Sequence, residues 1–370
     1  MMFWMYAGFT GLILVLLALD LGVFHRKAHV VSVREALGWS AFWIFLGMLF
    51  SVFIYFGYEN HWMGLGLTAD LMGSAIRTVE GLGTVYNDGA SATTKYLTGY
   101  LVEKSLSVDN IFVISMIFAF LAVPPLYQHR VLFWGIVGAL FMRGIMIAVG
   151  AAMIQAFTWI VYVFGGFLIL TGVKMLALKG HNADPHSNIV VRITRRLFPI
   201  TQRFHGQHFF VRAGSKAAYE APVPGSENLP DHVVESAPAG RLLATPLFLG
   251  LVMVEFTDLI FAVDSIPAIF AITADPFLVF TSNVFALLGL RSLYFALAGM
   301  IEKFRYLKVS LALVLVLVGV KMMTHTWLKE ILGSNFNLYL LAVVILILAG
   351  GVVVSLVASR SGSSSGSGVS

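Results

Sequence analysis

Apolar residues are gathered into nine long runs that are separated by shorter polar stretches. A helix needs about 20 mostly apolar residues to cross the hydrocarbon core of a bilayer. Ser32 and Glu35 also fit a capping box immediately before the second run. The pattern predicts an all-α polytopic membrane protein with about nine transmembrane helices. These spans cover residues 4–24, 36–57, 97–120, 131–151, 155–177, 244–271, 279–300, 306–325 and 336–357.

The polar stretches divide the chain into four parts. Residues 1–177 carry spans 1–5, and residues 244–357 carry spans 6–9. Between them, residues 178–243 are polar with Pro and Gly throughout, which predicts a basic linker with some helix around 188–198. Four of its histidines, His181, His186, His205 and His208, are expected to be solvated. The Ser/Gly-rich residues 358–370 are predicted to form a disordered tail.

Lys and Arg are concentrated in alternate connections between the runs. The connection after span 1, the long linker and residues 301–308 are rich in them, whereas the other side has only Arg77, Lys95 and Lys329. Cytoplasmic loops of membrane proteins carry an excess of Lys and Arg. The bias predicts an outside N-terminus, a cytoplasmic C-terminus and a cytoplasmic linker. It also explains the net charge of +5 without a nucleic-acid partner.

Composition agrees with a chain whose first partner is the lipid bilayer. Hydrophobic residues make up 58% of it and charged residues 12%, about half of the roughly 25% typical of soluble domains. The chain contains no cysteine, which excludes disulfides, thiolate ligands and thiol redox chemistry in the chain itself. It has no Walker, Ser/His/Asp or HExxH motif. We therefore expect neither an enzyme nor a prosthetic group.

Three groups of residues in the first half of the chain recur in the second half. These pairs are Thr171-Gly-Val-Lys-Met175 with Val318-Gly-Val-Lys-Met322, Ala139-Leu140 and Arg143 with Ala286-Leu287 and Arg291, and Glu103-x5-Asp109-Asn110 with Asp258-x5-Asp264-Ser265. Spans 3–5 thus resemble spans 6–8. Because each unit has an odd number of spans, consecutive units enter the membrane from opposite sides. The predicted result is an inverted repeat with a substrate site near the midplane.

Six acids fall inside the apolar runs. An ionised group at bilayer depth costs about 2.5–3.5 kcal/mol, so such residues usually serve ion pathways, proton relays or paired networks. Together with two neighbouring polar side chains, these acids form the predicted metal site. The predicted ligands are Glu103, Asp109 and Asn110 in span 3, Glu255, Asp258, Asp264 and Ser265 in span 6, and Asp20 in span 1.

Pairing with buried bases is the structural alternative. Arg143 and Arg291 lie near mid-span and could each satisfy one acid per repeat. Asp258 and Asp264 are about 120° apart on a straight helix, so a break would be needed to bring them together. Pro267 cannot donate to the carbonyl of Val263. The sequence therefore predicts a break in span 6, with that carbonyl as a further ligand.

The candidate ligands are all oxygen atoms. Hard oxygen ligands suit Mg²⁺, Ca²⁺ or Mn²⁺. The lack of cysteine and of an intramembrane histidine cluster argues against copper, zinc or cobalt. Composition and spacing leave the choice among the three hard cations open.

Three strings resemble the TerC family, which includes the Alx-type manganese exporters. They are Leu17-Ala-Leu-Asp-Leu-Gly-Val-Phe-His-Arg-Lys27, Val102-Glu-Lys-Ser-Leu-Ser-Val-Asp-Asn-Ile-Phe112 and Glu255-Phe-Thr-Asp-Leu-Ile-Phe-Ala-Val-Asp-Ser-Ile-Pro-Ala268. The resemblance implies a bacterial inner-membrane protein of the LysE-type transporter superfamily. It also implies efflux of Mn²⁺ against protons, and it places the family's metal-binding residues on the acids and Asn110 of spans 3 and 6.

Two other functions fit the same sequence. The chain could be a membrane partner that helps load metal into exported proteins or assists membrane-protein assembly, with the acids as structural ion pairs and the basic linker as the docking surface. A lysine-like organic-cation exporter would instead need a roomier site lined by aromatic residues. The sequence predicts no particular oligomeric state.

Overall fold

A computed structural model describes residues 2–20, 31–70, 76–79, 83–157, 159–177, 189–223, 230–297, 307–324, 327 and 336–364. Helices dominate this part of the chain. Two short antiparallel pairs, β1 (Arg77–Val79) with β2 (Gly83–Val85) and β3 (Phe210–Arg212) with β4 (Leu242–Ala244), are the strands found there. The helices are α1 (Met2–Leu19), α2 (Val33–Glu59), α3 (Gly89–Phe120), α4 (Pro125–Ala156), α5 (Ile160–Ala177), α6 (Ile189–Leu197), α7 (His232–Ser236), α8 (Pro246–Phe270), α9 (Pro276–Leu287), α10 (Leu290–Leu297), α11 (Leu307–Met323) and α12 (Phe336–Ser364).

The fold is that of an all-α polytopic membrane protein, as predicted. Among the described helices, α1, α2, α4, α5, α8 and α12 are long and apolar enough to cross a membrane, and α9 with α10 makes a seventh if the bent pair is one span. Helix α3 has 32 residues but carries Lys95, Glu103, Lys104 and Asp109. Each predicted run coincides with a helix or with the bent pair over its described residues. Residues 21–24 of span 1, 158 of span 5, 298–300 of span 7, and 306 and 325 of span 8 lie outside the described part. The count of nine crossings remains a prediction.

Polar side chains mark where the helices begin. Ser32 caps α2 and accepts a hydrogen bond from the backbone N–H of Glu35, at 3.3 Å, in agreement with half of the predicted capping box. Asp88, Thr245 and Asp275 cap α3, α8 and α9 in the same way. Each cap satisfies an N–H that has no partner inside its own helix.

The predicted break at Pro267 is wrong, because α8 continues through that residue to Phe270. The break lies instead in span 7, where α9 and α10 meet at an angle of 40°. Gly289 sits at the bend with φ of +81°, and a Cβ there would lie 2.6 Å from Cβ of Trp43. The carbonyls of Ala286 and Leu288 accept hydrogen bonds from Lys104 Nζ, at 3.1 and 3.2 Å. Lys104 therefore occupies backbone oxygens that the bend exposes.

The chain also remains helical past the end of the last apolar run. Helix α12 extends to Ser364, into the tail predicted to be disordered from residue 358, and residues 365–370 lie outside the described part. A helix gains one backbone hydrogen bond for each residue added, so it need not end where the apolar run ends.

Four helix pairs position the site, and they are α3 with α9, α4 with α8, α3 with α8, and α5 with α11. Helices α4 and α8 run parallel, since Gly135 lies against Val254 and Gly150 lies against Phe270. A short turn reverses the chain between α3 and α4. Helices α3 and α8 are therefore antiparallel where they meet.

Glycines allow α5 and α11 to approach closely. A Cβ on Gly319 would lie 2.8 Å from the carbonyl oxygen of Gly165, and a Cβ on Gly172 would lie 2.8 Å from that of Ala312. Gly165 contacts Gly319, whereas Gly172, later in α5, contacts Ala312, earlier in α11. The two helices are therefore antiparallel. Small residues at such crossings let helices pack backbone to backbone inside a membrane.

The predicted linker is an ordered subdomain over its described residues. Helix α6 spans 189–197, close to the helix predicted around 188–198, and the β3–β4 strand pair packs over a small core that includes Val211, Val234 and Leu243. His205 is buried, contrary to the expectation of a solvated side chain, while His208 is partly exposed beside Glu220. Burial lowers the pKa of His205, against the opposing effect of Asp231.

We expect Gly319→Ala and Gly166→Ala to change stability in opposite directions. The new methyl group at 319 meets a backbone carbonyl, and overpacking costs about 1–3 kcal/mol, whereas nothing lies within 4 Å of the position at 166. There the better helix propensity of alanine should stabilise by up to about 1 kcal/mol. Thermal unfolding in detergent measures both. Equal shifts would contradict the close α5–α11 crossing.

Candidate functional site

Arg143 of α4 is the centre of the site and is 1% exposed. Its Nε donates to Asp258 Oδ2 at 3.2 Å and its Nη2 donates to Asp258 Oδ1 at 3.0 Å, which makes a side-on bidentate ion pair. Its Nη1 donates to Glu103 Oε1 and, at 2.8 Å, to Asn283 Oδ1. One guanidinium therefore joins α3, α4, α8 and α9.

The pairing of acids and bases differs from the predicted one acid per arginine. Arg143 binds Glu103 from the first predicted repeat and Asp258 from the second. Arg291 of α10 binds Asp20, which directly follows α1, with Nη2 and Oδ1 2.6 Å apart. Asp20 thus lies in a separate buried ion pair, away from the other predicted ligands.

The two acids of each helix point to different neighbours because α3 and α8 are unbroken. Asp258 faces Arg143 on α4, whereas Asp264 lies beside Thr171 on α5, with Oδ1 and Oγ1 3.4 Å apart. Glu103 faces Arg143, and Asp109 lies six residues further along α3, about 9 Å along the axis. A straight helix splits each acid pair, as its geometry requires.

A small cavity lies between α3, α5, α8 and α11, with a volume of about 50 Å³. Five of the eight predicted ligands line it, together with Arg143 and Thr171. Asp258 adjoins it through Asn110, whose Nδ2 lies 3.4 Å from Asp258 Oδ1. The five lining ligands are Glu103, Asp109, Asn110, Asp264 and Ser265.

Two buried acceptor oxygens of this group have no hydrogen-bond partner among the described residues. They are Oε2 of Glu103, which is 1% exposed, and Oδ1 of Asn110, which is 4% exposed. Burying a polar atom without a partner costs about 1–3 kcal/mol. Since both residues line the cavity, the site can accept a donor or a cation there.

Glu255 of span 6 was also predicted to be a ligand, but it does not line the cavity. Its carboxyl group fills the space over Gly138 of α4, where a Cβ would collide with it. Among the described residues, no three His, Asp or Glu side chains are grouped so that they could hold one ion. A cation in the cavity would need oxygen ligands from amide and hydroxyl groups or from water as well as from carboxylates.

A second buried polar cluster joins the α2–α3 connection to the α8–α9 turn, and the sequence reasoning missed it. Lys95 Nζ lies 2.8 Å from Asp70 Oδ2, and both side chains are at most 1% exposed. Asp70 also accepts hydrogen bonds from Thr273 Oγ1 at 2.6 Å and from the N–H of Ala274 at 2.7 Å. The cluster ties the two connections together at one end of the molecule.

Asp275 sits on the other side of this cluster. Tyr58 donates to Asp275 Oδ2 at 3.0 Å, and Asn87 Nδ2 lies 3.3 Å from both Asp275 Oδ2 and Asp70 Oδ2. Burial, aided by the charge of Asp70, raises the pKa of Asp275 to about 6. Burial would also raise the pKa of Asp70, but Lys95 and the hydrogen bonds lower it to about 2. No short motif marks these residues, which are distant in the sequence.

These features define an integral membrane protein with several apolar helices and a central acid cluster held by one arginine. Residues 88–363 match the family described as integral membrane protein TerC family. The chain belongs to the TerC family, in agreement with the resemblance of its acid-bearing strings.

Relatives match along almost the whole chain. An "uncharacterized membrane protein" of Myxococcus xanthus is 46% identical over 96% of this chain and 93% of its own length. The "Putative membrane-bound redox modulator Alx" of Salmonella typhi is 40% identical over 92% of this chain and 93% of its own. The protein of the same name from Escherichia coli K12 is 38% identical over the same shares. No solved structure gives a significant match.

We expect Asp275→Asn to become more stable than the wild type as pH rises from about 4 to about 6. The folded protein holds a proton on Asp275 up to about pH 6, whereas the unfolded chain releases it near 3.8. The wild type therefore loses up to roughly 3 kcal/mol across this window, and the asparagine variant does not. Unfolding midpoints in detergent at several pH values measure the difference.

Asp70→Asn is the matched comparison. Removing that carboxylate leaves Lys95 buried without its counter-charge, which should cost about 3–5 kcal/mol at pH 7. If Asp275→Asn destabilised the protein as much as Asp70→Asn does, the assigned charge states of the cluster would be wrong.

Proposed function

We propose that this protein is a secondary transporter that exports divalent metal ions, Mn²⁺ above all, across the bacterial inner membrane in exchange for protons. The observation that carries the proposal is the cavity between α3 and α8, where Glu103 Oε2 and Asn110 Oδ1 lack hydrogen-bond partners among the described residues. Asp109 and Asp264 line the same cavity. Such a set of acceptors suits a cation.

The charge of the site favours a divalent ion. Glu103, Asp109, Asp258 and Asp264 carry four negative charges when ionised, and Arg143 supplies one positive charge, which leaves three. The positive charge of Lys174 on α5 interacts with Asp264, and the net charge is then minus two. A divalent cation would balance this charge in a part of the molecule where unpaired charge is costly.

The ligand chemistry suits hard cations. Carboxylate, amide and hydroxyl oxygens favour Mg²⁺, Ca²⁺ or Mn²⁺. The choice of manganese rests on the resemblance of the acid-bearing strings to Alx-type exporters. The name of the Alx relatives refers to redox, but this chain has no cysteine, so it has no thiols of its own that could carry such an effect.

Helix packing supports the inverted repeat on which alternating access would depend. If the two repeats are equivalent, α3, α4 and α5 correspond to α8, α9 and α11. The α3–α9 contact then corresponds to the α8–α4 contact, and the α5–α11 contact corresponds to itself. All three contacts are present. In the same way, the Gly165–Gly319 contact corresponds to the Ala312–Gly172 contact, which is also present. Rocking of two such units would expose the cavity to each side in turn.

Arg143 would act as a resident cation in this cycle. It holds Glu103 and Asp258, which occupy equivalent places in the two repeats, and so leaves Asp109 and Asp264 facing the cavity. Metal entering the cavity would compete with the guanidinium for Glu103, while protons arriving from outside would displace the metal. The direction, export, rests on the resemblance of the acid-bearing strings to the Alx-type manganese exporters.

Asp109→Asn and Asp264→Asn should each reduce Mn²⁺ uptake into everted membrane vesicles at least tenfold, because each removes one of the carboxylates that line the cavity. Glu255→Gln should reduce uptake less, since Glu255 lies over Gly138, and Glu235→Gln on exposed α7 is the neutral control. Unchanged manganese flux in both asparagine variants would overturn the site assignment.

Arg143→Gln should be less stable than the wild type by about 3–5 kcal/mol, because it leaves two carboxylates without their base. Added Mn²⁺ should raise its unfolding midpoint more than that of the wild type, since the metal can replace the missing charge. Arg143→Lys should fall between the two. If Mn²⁺ stabilised Arg143→Gln no more than it stabilises the wild type, the guanidinium and the metal would not compete.

A further inference from the structure

Helix α6 and the β3–β4 strand pair present a basic and apolar surface that the candidate transport site does not use. Residues 189–219 contain six Lys or Arg and no Asp or Glu. Arg192, Arg195 and Arg196 of α6 are exposed. On the same helix Ile193 is 50% exposed and Leu197 is 69% exposed. Exposed apolar side chains thus alternate with guanidinium groups along one short helix.

The other face of α6 is packed on the membrane-spanning part of the molecule. Val190, Val191 and Thr194 are buried, and α6 contacts α8. The residue that follows α6, Phe198, contacts Phe248 in the first turn of α8 with ring centroids 5.5 Å apart. Helix α6 is therefore held at the level where α8 enters its apolar run.

The β3–β4 strand pair extends this surface at the same level. Phe210 contacts both Phe198 and Phe248, with centroids 6.3 and 4.4 Å apart. Leu242 and Arg212 are paired across the two strands and both are exposed. Thr245, the cap of α8, fixes the strand pair by donating from Oγ1 to the carbonyl of His208 at 2.7 Å.

We propose that this surface is a binding site for the anionic headgroups of the adjacent bilayer leaflet. Arginines would contact lipid phosphates, while Ile193, Leu197 and Leu242 would enter the boundary between headgroups and acyl chains. Basic helices with exposed apolar residues bind membranes in this way, and each basic residue near an anionic surface adds about fivefold to the binding constant. The charge of the surface, its apolar side chains and its position beside the start of α8 favour lipid over a soluble partner.

The lack of cysteine in the chain makes a clean fluorescence test possible. The full-length protein with Leu197→Cys, labelled with an environment-sensitive dye, is placed in nanodiscs of phosphatidylcholine alone or mixed with phosphatidylglycerol. We expect a blue shift in the anionic nanodiscs that weakens at high salt. Replacing Arg192, Arg195 and Arg196 by Gln should abolish the shift, and replacing them by Lys should retain it.

Two controls separate lipid binding from the binding of soluble anions and from a loss of folded structure. Inorganic phosphate added to phosphatidylcholine nanodiscs should leave the spectrum unchanged, and a phosphate-induced shift would mean a site for soluble anions. The three Gln substitutions lie on an exposed face, so the unfolding midpoint in detergent should stay constant. Identical spectra in the two kinds of nanodisc, or a shift that survives the Gln substitutions, would overturn the proposal.

Discussion

The buried ion pairs of Arg143 with Glu103 and Asp258 are the interaction on which the rest of the structure depends. Two ionised carboxyl groups between α3 and α8 are costly to bury unless a base is buried with them. The planar guanidinium binds Asp258 side-on and still reaches Glu103 and Asn283. It thereby fixes how α3, α4, α8 and α9 meet and which acids face the cavity.

Much of the fold follows from the chain's apolar runs, because a helix in lipid must satisfy its backbone hydrogen bonds within itself. The positions of the helices, the cap at Ser32 and the acids on α3 and α8 are all visible in the sequence. The break was predicted at Pro267, but a proline need not end a helix. The bend at Gly289 depends instead on the contact of that residue with Trp43. Such a contact is invisible before the helices are assembled.

The candidate site was predicted only in part, because some of its contacts arise only when the helices assemble. Glu103, Asp109, Asn110, Asp264 and Ser265 meet at one cavity, and their shared polar chemistry inside apolar runs signals this. The destinations of Asp20 and Glu255 depend on which neighbour each helix presents. The cluster of Asp70, Lys95 and Asp275 was missed because its members lie in the α2–α3 connection, in α3 and at the start of α9, and form no local pattern.

A divalent metal ion held between Asp109 and Asp264 is the central claim, and anomalous scattering tests it most directly. Crystals of the full-length protein grown with Mn²⁺ should show one anomalous peak at the manganese edge in the cavity between α3 and α8. The peak should lie within bonding distance of both carboxylates and should vanish in Asp264→Asn. A protein that still exports manganese but shows its peak elsewhere, or no peak at saturating Mn²⁺, would contradict the account.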